Sequence, residues 1–121
     1  MSRVAVIGGG PAGIMAAAAA AGCGSEGAAA GCEVDSVLLE KNEKLGKKLF
    51  LTGKGRCNIT NACDTDDFFA NIPRNPKFLY SALYGFPNTD IVELINANGV
   101  PTKAERGKRV FPASDKSSDV I

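Results

Sequence analysis

The sequence predicts an α/β fold built on a strand, a tight turn, a helix and a second strand, and three observations carry that expectation. The apolar run Val4 to Ile7 feeds directly into Gly8-Gly9-Gly10-Pro11-Ala12-Gly13. That turn opens onto Ile14-Met15 and an alanine run, the composition of a helix. A second apolar run, Val34-Asp35-Ser36-Val37-Leu38-Leu39, reads as a mostly buried strand and ends on the acid Glu40. Together these make a Rossmann-like βαβ unit of the kind that binds FAD or NAD(P).

Each residue type in the turn has a physical reason. Gly8 permits the tight turn, Gly10 lets the backbone approach a pyrophosphate, and Gly13 lets the helix pack closely on the strand. Pro11 falls in the first helical turn, where a missing N–H costs nothing. Free N–H groups and the positive end of the helix dipole then favour a diphosphate. Glu40 stands where an acid accepts a hydrogen bond from a ribose hydroxyl, and an acid there disfavours a 2′-phosphate, so FAD or NAD is expected over NADP. Glu40 lies 27 positions after Gly13, more than the usual spacing of about 20. The glycine-rich segment 22–32 accounts for the excess as an inserted loop. Its cysteines, Cys23 and Cys32, could close a disulfide, but nothing else in the chain points to an oxidising compartment.

Composition narrows the function classes. The chain has 121 residues, 45% of them hydrophobic, which is globular in character. A net charge of +1 gives no case for nucleic acid or an anionic membrane as partner. The longest apolar segment, Ile14 to Ala21, is too short to span a bilayer, and no signal-like stretch precedes it, so a cytoplasmic location is expected. The four cysteines form no CxxC pair and the chain has no histidine, so no metal site is expected. Without histidine, proton chemistry must use a carboxylate, lysine, tyrosine or cysteine, or lie outside the chain.

The tract from Lys41 to Asn61 is the second informative segment. Lys41, Lys44, Lys47, Lys48, Lys54 and Arg56 stand against the single acid Glu43, and Gly46, Gly53 and Gly55 punctuate the run. Such a tract can lie along a phosphate-bearing ligand, or it can be a solvated charged loop. The short polar side chains of Gly55-Arg56-Cys57-Asn58-Ile59-Thr60-Asn61 favour the ligand reading. Cys57 and Cys63 do not have the spacing of a redox disulfide pair. Beside Arg56 the Cys57 thiolate could be favoured, but a packed thiol is the stronger expectation.

Beyond this tract, Asn75 to Tyr84 reads as a short helix presenting Phe78, Leu79, Ala82 and Leu83 to a core, ended by a turn at Gly85-Phe86-Pro87. Asn88 to Asn98 reads as an amphipathic helix capped by Asp90, with Ile91, Leu94 and Ile95 as its apolar stripe and Gly99 as its stop. Val100 to Ala104 and Lys108 to Phe111 read as a hairpin around Glu105-Arg106-Gly107. Residues 114–121 begin like a capped helix with little apolar face. No clear third parallel strand is visible, so the chain is expected to be the amino-terminal part of a longer enzyme, divided into a cofactor-binding segment 1–63 and a helical and hairpin continuation 64–121.

The motifs VAVIGGGPAGIMAA, LLEKNEKLGKKL, TGKGRCNITN and GKRVFPASDKSSDVI resemble the BaiN/RdsA-type flavoproteins, a bacterial family of oxidoreductases also described as aminoacetone-oxidase-like. The family's proteins are longer and end with a segment that returns to cover the flavin. The resemblance implies FAD as cofactor, with NAD(P)H a candidate electron donor. It implies that Gly8, Gly10, Pro11, Ala12 and Gly13 cradle the FAD diphosphate, that Glu40 holds the adenosine ribose, and that Lys41 and Lys48 flank the adenosine end. Gly53, Gly55, Arg56, Cys57 and Asn58 would lie toward the flavin. No residue is marked as a catalytic acid or base. A flavin-dependent oxidoreductase acting on a small molecule is therefore the leading expectation. An NAD-binding dehydrogenase or reductase domain, or a non-catalytic nucleotide-binding fragment, are the alternatives.

Overall fold

The computed structural model of the chain describes residues 2–22 and 34–121. Most of the inserted segment, with Cys23 and Cys32, lies outside the described residues. The contacts divide the chain into a first unit that runs to Leu51 and includes Ile121, and a second unit, Thr52–Val120. The tract Gly53–Asn61, which sequence reading joined to the first segment, thus clusters with the hairpin that follows it.

In the first unit, strand β1 (Ser2–Ile7) leads through the glycine turn into helix α1 (Pro11–Ala20), and strand β2 (Val34–Leu39) pairs with β1 in parallel. The register sets Ile7 opposite Leu39, and the Gly8 N–H donates to the Leu39 carbonyl at 2.8 Å, so the ladder runs one residue into the turn. Helix α1 draws on alanine for helix propensity rather than on a sided apolar stripe. It is tied to β2 where the Ser36 hydroxyl donates to the Ala17 carbonyl at 3.3 Å. The two strands carry exposed apolar side chains, Ile7 at 86% and Leu39 at 53%. Strands of a parallel sheet are ordinarily covered on both faces. Among the described residues β1 and β2 are the only parallel pair.

The second unit is built on a three-stranded antiparallel sheet of order β3-β5-β4: β3 is Thr60–Asn61, β4 Thr102–Glu105 and β5 Arg109–Pro112. Its core is β5, where Val110, Phe111 and Pro112 are buried, together with Cys57. Sequence reading missed β3, a two-residue strand, and helix α2 (Thr65–Ala70), whose Asp64 carboxylate accepts from the Asp67 N–H at 2.8 Å as N-cap. The hairpin strands sit slightly later than expected, with Glu105 inside β4 rather than in the turn.

The expected helix over 75–84 divides into a 3₁₀ turn, Pro76–Leu79, and helix α3, Tyr80–Gly85. Here the expectation of core packing is corrected: Phe78 is 79% exposed, and Leu79 and Ala82 are exposed too. Asn75, left-handed at φ 47°, starts this segment as the residue before the 3₁₀ turn. The aromatic contact that forms is instead Phe69 on α2 against Tyr80 and Tyr84, with centroids 4.5 and 5.7 Å apart. Helix α4 (Asn88–Ala97) falls where expected, but Pro87 occupies the N-cap position and Asp90 lies in the first turn, so Asp90 is not the cap. Asn88 is buried and donates from Nδ2 to the carbonyls of Asn61 and Cys63, at 2.6 and 2.9 Å. These bonds fasten α4 beside β3. At the C-terminal end only Ser117–Val120 is helical, as α5. No helix among the described residues is long and apolar enough to cross a membrane.

Candidate dinucleotide-binding site

The first unit assembles its site around the glycine turn. Gly8 has φ +103°, a conformation that L side chains rarely adopt. Gly13 sits one helical turn later with its α-carbon against β1: a Cβ there would collide with the Gly8 carbonyl oxygen, and its next neighbour, the Gly8 carbonyl carbon, would be 3.0 Å away. The absence of a side chain at Gly13 is thus what allows α1 to start so close to the strand. At Gly10 the situation is reversed. A Cβ would meet nothing within 4 Å, and no side chain caps the helix that Pro11 begins. The N-terminus of α1 has no acid in its first turn, and its leading N–H groups carry the positive end of the helix dipole. A turn left open at Gly10, followed by an uncapped helix start, fits a diphosphate.

Gly9 completes the turn in a way that sequence reading did not anticipate. It is buried, and an added Cβ would collide with the Leu45 side chain and lie 3.0 Å from Glu40 Oε2. Its carbonyl accepts from the Gly46 N–H at 2.7 Å. Gly46, left-handed at φ 68° and also buried, would press any side chain onto Ile121. The first half of the basic tract is therefore folded back onto the glycine turn. Lys41, Lys44, Lys47 and Lys48 on this segment are all exposed, and none forms a salt bridge among the described residues.

Glu40, at the end of β2, is held by donors from Gly9, Asn42 and the Lys41 backbone. Oε2 accepts from the Gly9 N–H at 2.7 Å, while Oε1 accepts from the Asn42 N–H at 2.8 Å and from Asn42 Nδ2 at 2.6 Å. These bonds, the Asn42 N–H first and the Gly9 N–H next, hold the carboxyl below its usual range, so the group is ionised at neutral pH. The structure thus brings Gly8, Gly10, Pro11, Ala12, Gly13 and Glu40 into one neighbourhood and adds Gly9, Asn42 and Leu45 to it. The two-residue separation of Asn42 from Glu40 is a signal that the sequence did contain, since Asn and Asp side chains commonly bond so locally.

In the second unit, the loop of residues 52–58 has an unusual backbone. Gly53, Lys54, Gly55 and Cys57 all have positive φ, two of them non-glycine. Such conformations persist where surrounding contacts enforce them. A Cβ on Gly53 would lie 2.6 Å from the Phe111 ring, and Gly55 offers its carbonyl to the buried Ser117 hydroxyl at 2.6 Å. The Arg56 guanidinium stacks 4.2 Å over the Phe111 ring and pairs with Glu105 at 2.9 Å and Asp115 at 3.4 Å. Lys103 closes the arrangement with Asp115 at 2.7 Å and Glu105 at 3.6 Å. Arg56 is thereby committed inside its own unit. Cys57 is fully buried, and burial pushes its thiol pKa up, offset in part by a hydrogen bond with Thr52. It is a packed thiol, and the alternative of an activated thiolate is corrected. Lys54, Gly55 and Asn58 remain exposed on the loop.

Comparison with known proteins fits this geometry. The family model described as the HI0933-like protein Rossmann domain matches residues 2–121. The chain is 38% identical over 122 residues to the 3-dehydro-bile acid delta(4,6)-reductase of Clostridium scindens, covering 100% of the chain and 27% of the reductase. It is 36% identical over 89 residues to the ribosomal RNA dihydrouridine synthase of Escherichia coli, covering 72% of the chain and 21% of the synthase. It is also 30% identical over 95 residues to the ribosomal RNA dihydrouridine synthase of Haemophilus influenzae, covering 78% of the chain and 21% of that protein. The chain spans about a quarter of the length of these curated relatives. With residues 2–121 matched by the family model, and with the glycine turn and Glu40 placed as a Rossmann unit requires, the chain belongs to the HI0933-like Rossmann domain family.

Proposed function

We propose that this chain is the FAD-binding portion of an oxidoreductase that acts on a small molecule. The observation that carries the reading is the turn itself: open at Gly10, closed by necessity at Gly13, and ending beside a carboxylate ionised by its backbone donors. Gly8, Gly10, Pro11, Ala12 and Gly13 would hold the diphosphate through backbone N–H groups and the helix dipole. Glu40 would accept a ribose hydroxyl, and its charge would disfavour a 2′-phosphate. Lys41 and Lys48, exposed and without a salt bridge among the described residues, would flank the adenosine end. Gly53, Gly55 and Asn58 are retained as flavin-side candidates, with Arg56 and Cys57 shaping their loop from within. Bound FAD supplies the redox centre, with NAD(P)H the proposed electron donor.

The names of the relatives narrow the substrate class. A delta(4,6)-reductase and a dihydrouridine synthase both describe the addition of two hydrogens to a carbon–carbon double bond. We assign the same bond type to the full-length protein, as a double bond conjugated with a carbonyl. Within these 121 residues a net charge of +1 offers no basic excess for RNA, which supports a small molecule as the first substrate to try. The test is an absorption spectrum of the full-length protein after incubation with FAD and desalting, followed by anaerobic NADH oxidation with an enone steroid or with ribosomal RNA. Retained flavin and enone-dependent oxidation support the reading. A colourless protein would refute the cofactor, and oxidation stimulated by RNA alone would refute the substrate class.

A further inference from the structure

Gly46 has no side chain to hold it in place, yet it keeps a left-handed backbone at φ 68° and is buried. A glycine can adopt many conformations, so its neighbours must fix the one it takes. Ile121 is such a neighbour. Its Cδ1, Cγ1 and Cγ2 would lie 2.9, 3.1 and 3.3 Å from a Cβ placed on Gly46, so three carbons of one side chain pack over this single α-carbon. Ile121 clusters with the first unit, whereas Thr52–Val120 form the second. We infer that Ile121 is a positioning residue of the site: by packing on Gly46 it holds the loop that fixes Gly9 and, through Gly9, the Glu40 carboxylate. The inference rests on the proposed reading of this turn as the ribose and diphosphate subsite.

The contacts from Ile121 to Glu40 form an unbroken series. The Gly46 N–H donates to the Gly9 carbonyl at 2.7 Å, and the Gly46 carbonyl accepts from the Phe50 N–H at 3.0 Å. Leu45, next to Gly46 in the chain, covers the α-carbon of Gly9, where any Cβ would collide with it. The Gly9 N–H in turn donates to Glu40 Oε2 at 2.7 Å. Gly9 stands between Gly8, which begins the turn, and Gly10, whose α-carbon is left open for the diphosphate. Packed side chains and hydrogen bonds in such a series carry energetic coupling from one end to the other. Shortening Ile121 removes carbons from the surface of Gly46, forfeits their dispersion attraction, and frees the glycine to leave its left-handed conformation. The bond to the Gly9 carbonyl then weakens, and Glu40 loses a fixed donor that orients it.

The experiment uses the full-length apoprotein with isotopically labelled glycine. It reads amide exchange at Gly8, Gly9 and Gly46 by NMR, and the dissociation constant of FAD by flavin fluorescence. In Ile121→Ala, exchange at Gly9 and Gly46 should quicken by about tenfold or more, while Gly8, whose N–H is bonded to Leu39 in the ladder, keeps its rate. FAD should bind about tenfold more weakly, the scale of one hydrogen bond to a charged group. In a Glu40→Ala background the same substitution should change FAD affinity by less than about twofold, because its effect passes through that carboxylate. Ile121→Val, which removes a single methylene and folds even where alanine does not, should quicken exchange at Gly9 and Gly46 by about threefold with Gly8 again unmoved. Equal quickening at all three glycines, or none, would overturn the inference in either variant. So would unchanged FAD affinity in a folded Ile121→Ala, or an undiminished loss in the Glu40→Ala background. If the wild type binds no FAD, the cofactor reading falls, and the exchange pattern alone decides whether Ile121 holds the turn.

Discussion

Replacing Gly13 by alanine should separate the packing role of the glycine turn from its ligand role. The added Cβ would collide with the Gly8 carbonyl oxygen, a backbone atom, and would stand 3.0 Å from the Gly8 carbon and 3.5 Å from Val6 Cγ1. No rotamer change relieves a contact with backbone, so α1 must move off β1 or Gly8 must leave its ladder bond to Leu39. Overpacking of this kind costs about 1–3 kcal/mol, and a rigid partner places this site near the upper figure. Alanine returns up to about 1 kcal/mol of helix propensity over glycine. The net expectation is a loss of about 2 kcal/mol, or about a thirtyfold drop in the folded ratio. Urea unfolding followed by circular dichroism measures it, with Gly10→Ala as the comparison. At Gly10 the Cβ enters open space, so the cost there should stay below about 1 kcal/mol, set only by alanine's weaker capping. A Gly13→Ala protein as stable as the wild type would refute the close-packing argument.

Other consequences follow from the second unit. Phe111 is 1% exposed at the centre of β5, and Phe111→Ala should cost about 3–5 kcal/mol by the same urea assay. A thiol reagent applied to the native protein should modify half-buried Cys63 well before Cys57, as read by peptide mass mapping, because Cys57 is buried and its thiolate disfavoured. The charged cluster has a defined pH window. Asp115 is held below the ordinary 3.8, chiefly by its hydrogen bond from Lys103, so its contribution is present above that pH and is lost as pH falls through the lowered value. Lys103 is raised above the ordinary 10.5, chiefly by Asp115, so its contribution is present below that pH and is lost as pH rises through the raised value. The stability difference between the wild type and Asp115→Asn should therefore be flat from pH 5 to 9 and shrink at both extremes, while 1 M salt should reduce it throughout.

The parts of the fold that were legible in the sequence are those written in neighbouring residues. Strand β2 was expected at Val34 to Leu39 and is found there, because an apolar run bounded by an acid has few alternatives. The same holds for α4, whose stripe of Ile91, Leu94 and Ile95 is half-buried as expected. What escaped was set by partners distant in sequence. Strand β3 is only two residues, and it exists because β5 lies beside it, with Thr60 opposite Val110. Arg56 read as a cation for a ligand, yet its partners Glu105 and Asp115 lie about fifty residues on, where no local pattern could link them. Phe78 read as core because aromatic residues at helical spacing usually are, but the segment divides at Leu79 into a 3₁₀ turn and a short helix, and Phe78 on the 3₁₀ turn is exposed. At the candidate site the glycines were legible as a motif. The local bond of Asn42 to Glu40 was within reach of the sequence, whereas the Gly9 N–H bond to Glu40, thirty-one residues apart, required the geometry of the loop.

The central claim is tested most directly by the affinity of the full-length protein for FAD with and without an open Gly10. Valine at position 10 meets no protein atom at its Cβ, so Gly10→Val should fold while its side chain occupies the space assigned to the diphosphate. The wild type should bind FAD tightly and Gly10→Val should lose at least about a hundredfold in affinity, with unfolding midpoints close to one another. Equal FAD affinity in the two proteins would contradict the assignment of the diphosphate to this turn.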